Sequence, residues 1–246
     1  MKKKYLFYFV IVLVACNSKT HLSKYQDSTD KYFVQVQLSQ HLASEDSLLT
    51  FYDLKNPSDA KEVGFIKDGF RNGMWVYNLP SGVKKITWGD YKNKDLALET
   101  NLFEKADTMK YGNSFVRFLY KTDMGDLVLS IFINGSLKDS FPETNYRQIT
   151  EREFSKLGIE TLSFKTFKID YTPNNIYVSD IEAMEKSNNK TKILKTAFSF
   201  IDKNTFVEFS VISSRENVYR EILFNAVLTN LFVNGKRLYY PFKKDW

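Results

Sequence analysis

The stretch 206–232, FVEFSVISSRENVYREILFNAVLTNLF, changes character halfway along, and that change sets the class of fold. Up to Ser213 it is the second arm of a hairpin, KTAFSFIDKNTFVEFSVIS, which turns at Asp202 to Asn204. Beyond it Val218, Ile222, Leu223, Ala226, Val227 and Leu231 recur at helical spacing, so a helix follows the strand. Ser213 and Glu216 have the spacing of a capping box at its start. Asn234-Gly235 is read as its end, with Lys236 and Arg237 adding positive charge near the negative end of the dipole. The apolar stripe of such a helix is buried by packing on a sheet, which makes this an α+β chain.

Moving towards the N-terminus, FVRFLYKT and DLVLSIFING read as strands joined through Thr122 to Asp126, with Gly125 in the turn. QITEREFSKLG reads as a short helix, opened by a capping box of Thr150 and Glu153 and stopped at Gly158. FKTFKIDYTP is a strand halted by Pro173, and EKSNNKTK is a solvated loop. In order and apolar pattern, residues 94–246 resemble the PsbP-like fold of photosystem assembly subunits and several bacterial lipoproteins. The matching segments are DLVLSIFI, ITEREF and the stretch 206–232, while FKTFKIDYTPNNIYVSD does not align cleanly. The resemblance implies an α/β/α sandwich with an antiparallel sheet and a long C-terminal helix. An unrelated α+β fold fits the same pattern.

An aromatic β module precedes this domain, over residues 32–93. YFVQVQLSQ alternates as a half-wet strand does, and LLTFYDL is a second strand closed by Asn56-Pro57. In GFIKDGFRNGMWVYNLPSGVKKITWGDYKN, residues 64–93, turn signals fall at Asp68-Gly69, Asn72-Gly73 and Pro80-Ser81-Gly82. Trp75 and Tyr77 share one face of a strand, and Ile86 and Trp88 share one face of the next. Through Gly69, Gly73, Trp75, Tyr77, Gly82, Tyr91 and Asn93 the segment resembles one hairpin of the MORN and YwqK-like repeats. An ordinary β-meander with an aromatic core is the equal alternative. Neither supplies a catalytic group.

The chain begins with Lys2, Lys3 and Lys4, then an apolar run from Tyr5 to Ala15, too short to span a bilayer, which takes about twenty residues. This is the pattern of an export signal over residues 1–15. Its end, Leu13-Val14-Ala15-Cys16, resembles the bacterial lipobox, and Cys16 is the only cysteine in the chain. The resemblance implies diacylglyceryl attachment to Cys16, cleavage ahead of it and anchoring in a lipid bilayer. An ordinary secretory signal cut after Ala15 is the alternative. Each buried CH₂ contributes about 0.8 kcal/mol, so two or three acyl chains hold where one is marginal. Residue 17 is Asn rather than Asp, which by the lipoprotein sorting rule favours an outer-membrane protein facing the periplasm. The outer face of a Gram-positive membrane fits the lipobox equally. Residues 16–31 are polar and aperiodic, a tether averaging roughly 20 Å as a flexible coil.

Composition narrows the partners. The 21 Phe and 15 Tyr in 246 residues suit pleated surfaces. Half of the formal charge of +6 belongs to the leader lysines, and the remaining Lys and Arg are interleaved with acids. A nucleic-acid surface clusters its charge, so no nucleic-acid partner is expected. The sequence holds no G-x-S-x-G, H-E-x-x-H, C-x-x-C or EF-hand loop, and its two histidines, His21 and His41, lack a motif to pair with. Asp123 and Asp126 fit a tight turn better than a cation site. Asp170, on an otherwise apolar strand, and Asp180, Glu182 and Glu185 fit a solvent face better than an acid–base pair. No metal, cofactor or catalytic set is expected, and the chain is read as not an enzyme. The expectation is a lipid-anchored envelope protein that binds an unknown envelope protein to assemble, stabilise or inhibit it. The alternative is a carbohydrate or envelope-polymer binding module, with weak hydrolysis as its extension; Trp75, Tyr77 and Trp88 are the candidate contacts to a partner or a glycan.

Overall fold

In a computed structural model, the residues described are 20–23, 32–38, 47–53, 56–67, 70–134, 143–169, 175–214 and 216–239, with side chains from residue 62 onward. The chain divides into two compact units, one running to Trp88 and the other from Gly89. The division falls within one continuous strand, β6 (Gly82–Asn93), whereas the sequence reading places the boundary after Asn93.

The first unit is an antiparallel meander of β1 (Thr20–Ser23), β2 (Tyr32–Leu38), β3 (Ser47–Asp53), β4 (Asn56–Lys67), β5 (Phe70–Leu79) and the start of β6. β1 lies in the segment read as tether, and Asn56-Pro57 opens β4 instead of closing β3. Proline is tolerated at the beginning of a strand, where its missing N–H interrupts the ladder least. Asn72-Gly73, expected to be a turn, lies inside β5. Gly73 takes φ +62, and the register with β4 slips beside it. A left-handed glycine at a register slip is the mark of a bulge, so the residue type was read correctly and its use was not. Pro80-Ser81-Gly82 does turn the chain, with Leu79 paired to Gly82 across the turn and Gly82 at φ +110.

The second unit carries the larger sheet. Its strands are β8 (Thr108–Gly112), β9 (Phe115–Thr122), β10 (Gly125–Asn134), β11 (Ile159–Ile169), β12 (Ile176–Glu185), β13 (Lys190–Phe200) and β14 (Phe206–Ser213). All neighbours are antiparallel, in the order β11-β12-β13-β14-β10-β9-β8. The helix α1 (Glu143–Lys156) stands on one face, and α2 (Val218–Asn230) on the other. β7 (Leu98–Phe103), β15 (Phe232–Val233) and β16 (Lys236–Arg237) form a second short ladder beside α2. The unit is thus mixed α+β and mainly antiparallel, as expected. The long C-terminal helix of the expected sandwich is not formed, because α2 has 13 residues and the chain returns to strand at Phe232.

The helix ends are set differently from the sequence reading. Asn217 caps α2, accepting from Tyr219 N at 3.0 Å, while Ser213 is still in β14 and its Oγ accepts from Arg220 Nη1 at 3.4 Å. Asn234 at φ +52 and Gly235 at φ +70 make the two-residue turn between β15 and β16, not the helix stop. Both values suit a type I′ hairpin. That hairpin brings Arg237 back to the helix, where Nε donates to the Thr229 carbonyl at 2.8 Å. The expected cation at the negative end of the dipole is therefore present, delivered by a turn. α1 begins at Glu143, so Thr150 is mid-helix and no N-cap, while Gly158 at φ +70 follows its end as expected. Ile222, Leu223, Ala226 and Val227 are buried as the apolar stripe requires, and Phe224 joins Phe209 of β14 at 5.0 Å.

Candidate functional site

The three aromatic residues expected to meet a ligand are core residues of the first unit. Trp75, Tyr77 and Trp88 are 0%, 0% and 3% exposed. Trp88 Nε1 donates to the Tyr77 hydroxyl at 3.0 Å, and Trp75 Nε1 donates to the Phe65 carbonyl at 3.0 Å. The Arg71 guanidinium lies 4.8 Å from one indole and 5.5 Å from the other. A Cβ at Gly64 would overlap the Trp75 ring, so glycine there lets the indole lie against the backbone. Glycan stacking needs an open ring face, and these have none; the alternation that placed them on one side placed them inward.

Other expected positions are placed as follows. Cys16, His41, Asp170 and Pro173 lie outside the described residues. Thr122 to Asp126 is the β9–β10 turn, closed by Thr122 Oγ1 to the Gly125 carbonyl at 2.7 Å, which agrees with the turn reading of Asp123 and Asp126. Asp180 and Glu182 face solvent on β12, and Glu185 is within 3.8 Å of Lys192.

The face of the seven-stranded sheet under α1 has a feature the sequence reading missed. Register places Lys110, Arg117, Ser130, Ser210, Thr196, Ser179 and Thr166 directly opposite one another, one from each strand. Every strand therefore contributes a polar residue to one transverse row, five of them hydroxyls. A row two residues away on the same face is apolar across Leu119, Val128, Ile212, Leu194, Ile181 and Phe164. The row on the other side runs Phe115, Phe132, Glu208, Phe198 and Tyr177. Glu208 thus stands between two phenylalanines.

Helix α1 covers only one end of this face. Phe154 packs with Ile181, Ala183 and Leu194, and Tyr146 stacks on Phe198 at 3.9 Å between ring centres. Over β9, β10 and β14 the corresponding side chains, Arg117, Ser130 and Ser210 among them, keep access to solvent. Between the helix and these strands is a cleft of about 240 Å³. Tyr146 and Thr150 form one wall, Thr196, Ser210 and Glu208 the floor, and Ser130, Phe132 and Arg117 the far side.

The polar groups of the cleft are organised. The Tyr146 hydroxyl donates to Glu208 Oε1 at 2.9 Å and lies 3.2 Å from Thr196 Oγ1. Having one proton to give, Tyr146 leaves the Thr196 hydroxyl to donate in its turn. Burial pushes the Glu208 carboxyl above the usual carboxylate range, and the Tyr146 bond offsets part of that rise. Burial likewise pushes the Tyr146 hydroxyl well up, so it stays a donor. Arg117 Nε donates to Ser130 Oγ at 3.0 Å, and no partner is seen for its terminal nitrogens among the described residues. The cleft therefore offers one carboxyl with aromatic neighbours, a line of hydroxyls, and one guanidinium at its open end. Among the described residues no three His, Cys, Asp or Glu come together.

Comparison with known proteins gives little beyond this geometry. No family model matches the chain, and no curated protein matches it. Several solved structures are similar to it in part, and two of them illustrate the likeness. One is PA94 of Pseudomonas aeruginosa, described as a protein of unknown function and putative regulator; the likeness has 10% identity and TM-score 0.36 over 64% of this chain and 95% of that one. The other is cyanobacterial PsbP (CyanoP) of Synechocystis, with 13% identity and TM-score 0.37 over 59% of this chain and 92% of that one. Scores at this level leave function to be argued from the site.

Proposed function

We propose that this is a non-catalytic, lipid-anchored envelope protein that binds a partner protein on the open end of the seven-stranded sheet. The observation that carries the reading is the sheet face itself. One face is packed under α2, while on the other the polar row from Arg117 to Ser210 lies accessible between an apolar and an aromatic row. Polar groups held in register between apolar flanks suit recognition, where apolar contact supplies area and polar contact supplies specificity. Acylation of Cys16 places the protein at a bilayer, by this reading the outer membrane with the folded units facing the periplasm. Assembly, stabilisation or inhibition of the partner are the roles that fit. The second unit is read as a shortened PsbP-like sandwich, supported by its helices on opposite faces. Residues 64–93 are read as a MORN-like hairpin, supported by the inward Trp75 and Tyr77.

The test has two arms. Replacing Cys16 with Ala should move the protein from membranes to the soluble fraction, and retention on membranes would remove the anchor from the proposal. Affinity capture of the acylated protein from solubilised envelopes should return a stoichiometric protein, whereas recovery of polysaccharide alone would reverse the reading.

A further inference from the structure

The cleft beside α1 has a defined chemistry, and it narrows what a partner would insert. At about 240 Å³ it is below the range of about 300–1,000 Å³ typical of pockets for drug-sized ligands, so one long side chain suits it better than a free cofactor. One end of its lining is apolar, where Phe154 of α1 packs with Leu194 and Ile212 of the sheet. The rest is polar: the hydroxyl row comes next along the strands, then Glu208 between Phe132 and Phe198. That sequence of apolar, hydroxyl and carboxyl surfaces follows the build of a basic side chain, which has an alkyl stem and a cationic head.

From this geometry we infer that the cleft receives a lysine or arginine side chain of a partner protein, its cationic head meeting Glu208 and its stem lying over Leu194 and Ile212. The inference rests on the partner-binding reading above. Glu208 Oε1 already accepts from Tyr146, and the second oxygen has no partner among the described residues, so a donor there completes the carboxylate. The ring of Phe132, on the far side of the cleft, adds a face on which a cation is favoured. Arg117 does not oppose this. Its backbone stands two strands from Glu208, roughly 10 Å at the usual strand spacing, and its head is held by Ser130 and over the Phe115 ring at 6.0 Å, from where it suits an acidic or carbonyl group on the same partner. An anionic head is disfavoured beside Glu208 by its carboxylate.

The test uses the full acylated chain in detergent micelles, followed by amide NMR. N-acetyl-lysine amide should shift the resonances of Thr196, Glu208 and Ser210 saturably, and N-acetyl-norleucine amide, which keeps the stem and lacks the charge, should not. Glu208→Gln should weaken lysine-analogue binding at least about tenfold, the order expected when a charge-assisted bond is lost. Ser210→Arg, which puts a guanidinium inside the cleft, should block binding while the β11–β12 resonances stay in place and report an intact fold. Equal binding of the norleucine analogue, binding unaffected by both variants, or saturable binding of glucose at the same residues would each overturn the inference. In envelope capture, a partner retained equally by wild type and Glu208→Gln would overturn the inference and leave the partner-binding reading standing. Failure of the wild type to capture any protein would remove that reading instead.

Discussion

At the scale of single residues, Glu208 is an acid whose surroundings push its carboxyl up, whereas those of Glu153, Asp202 and Glu221 are held down. Burial between Phe132 and Phe198 raises its pKa, so the folded chain holds a proton that the unfolded chain has released. Stability from that proton is complete below the ordinary glutamate value of 4.5 and is lost as pH rises through the folded value. Above that ordinary value the urea midpoint of the wild type should therefore fall with rising pH relative to that of Glu208→Gln, until the folded carboxyl is ionised; parallel midpoints would contradict the burial account. Tyr146→Phe removes the donor and leaves the carboxyl under-satisfied, which should cost about 1–3 kcal/mol in urea unfolding. Gly64→Ala forces the Trp75 ring off the backbone and should destabilise the first unit by about 1–3 kcal/mol, read through tryptophan fluorescence. Of these residues only the aromatics were legible beforehand. Alternation told which rings share a face, but not which face is dry. Glu208 carried a readable signal, a carboxyl in an apolar strand, which was attended to at Asp170 and missed in FVEFSVIS. Arg117, Ser130 and Ser210 carried none, because three strands must pair before they become neighbours.

At the scale of elements, strands and helices were legible where period and turn chemistry agree. The β9–β10 and β13–β14 hairpins turn where Gly125 and Asp202–Asn204 said they would, and Asp202 Oδ1 accepts from the Asn204 and Thr205 amides at 3.0 and 2.9 Å. Ends were less legible, since capping patterns recur by chance and the sheet decides which is used. Ser213 and Glu216 have capping-box spacing, yet pairing of Ser213 with Leu127 and Ile193 keeps it in β14, and the start passes to Asn217. Asn217→Ala should accordingly cost about 1 kcal/mol of stability, while Glu216→Ala, which removes an exposed carboxylate from an Arg220 that still pairs with Glu221, should cost less than about 1 kcal/mol. Equal losses would return the cap to the box. Both outer strands of the larger sheet also bear marks that discourage pairing with another chain. β8 has five residues, and β11 has a register irregularity between Thr161 and Ser163 with Lys165 and Lys168 exposed. The accessible face over β9, β10 and β14 has no such guard.

For the whole molecule, the leader and its cysteine remain the source of the proposed location, and the sheet face the source of the proposed work. The two proposals are separable: in one Cys16 sets where the protein is held, and in the other the cleft sets what it holds. The first unit, expected to provide ligand contacts, turns its rings inward, so recognition is assigned to the second. Placing a photo-crosslinking residue at Ser210, in full-length acylated protein expressed in cells, tests that assignment most directly. The account predicts a discrete cross-linked band containing one partner protein, lost when Glu208→Gln is added and absent when the cross-linker replaces Tyr111, an exposed residue on β8. Cross-linking from Tyr111 but not from Ser210, or a product containing only envelope polysaccharide, would contradict it.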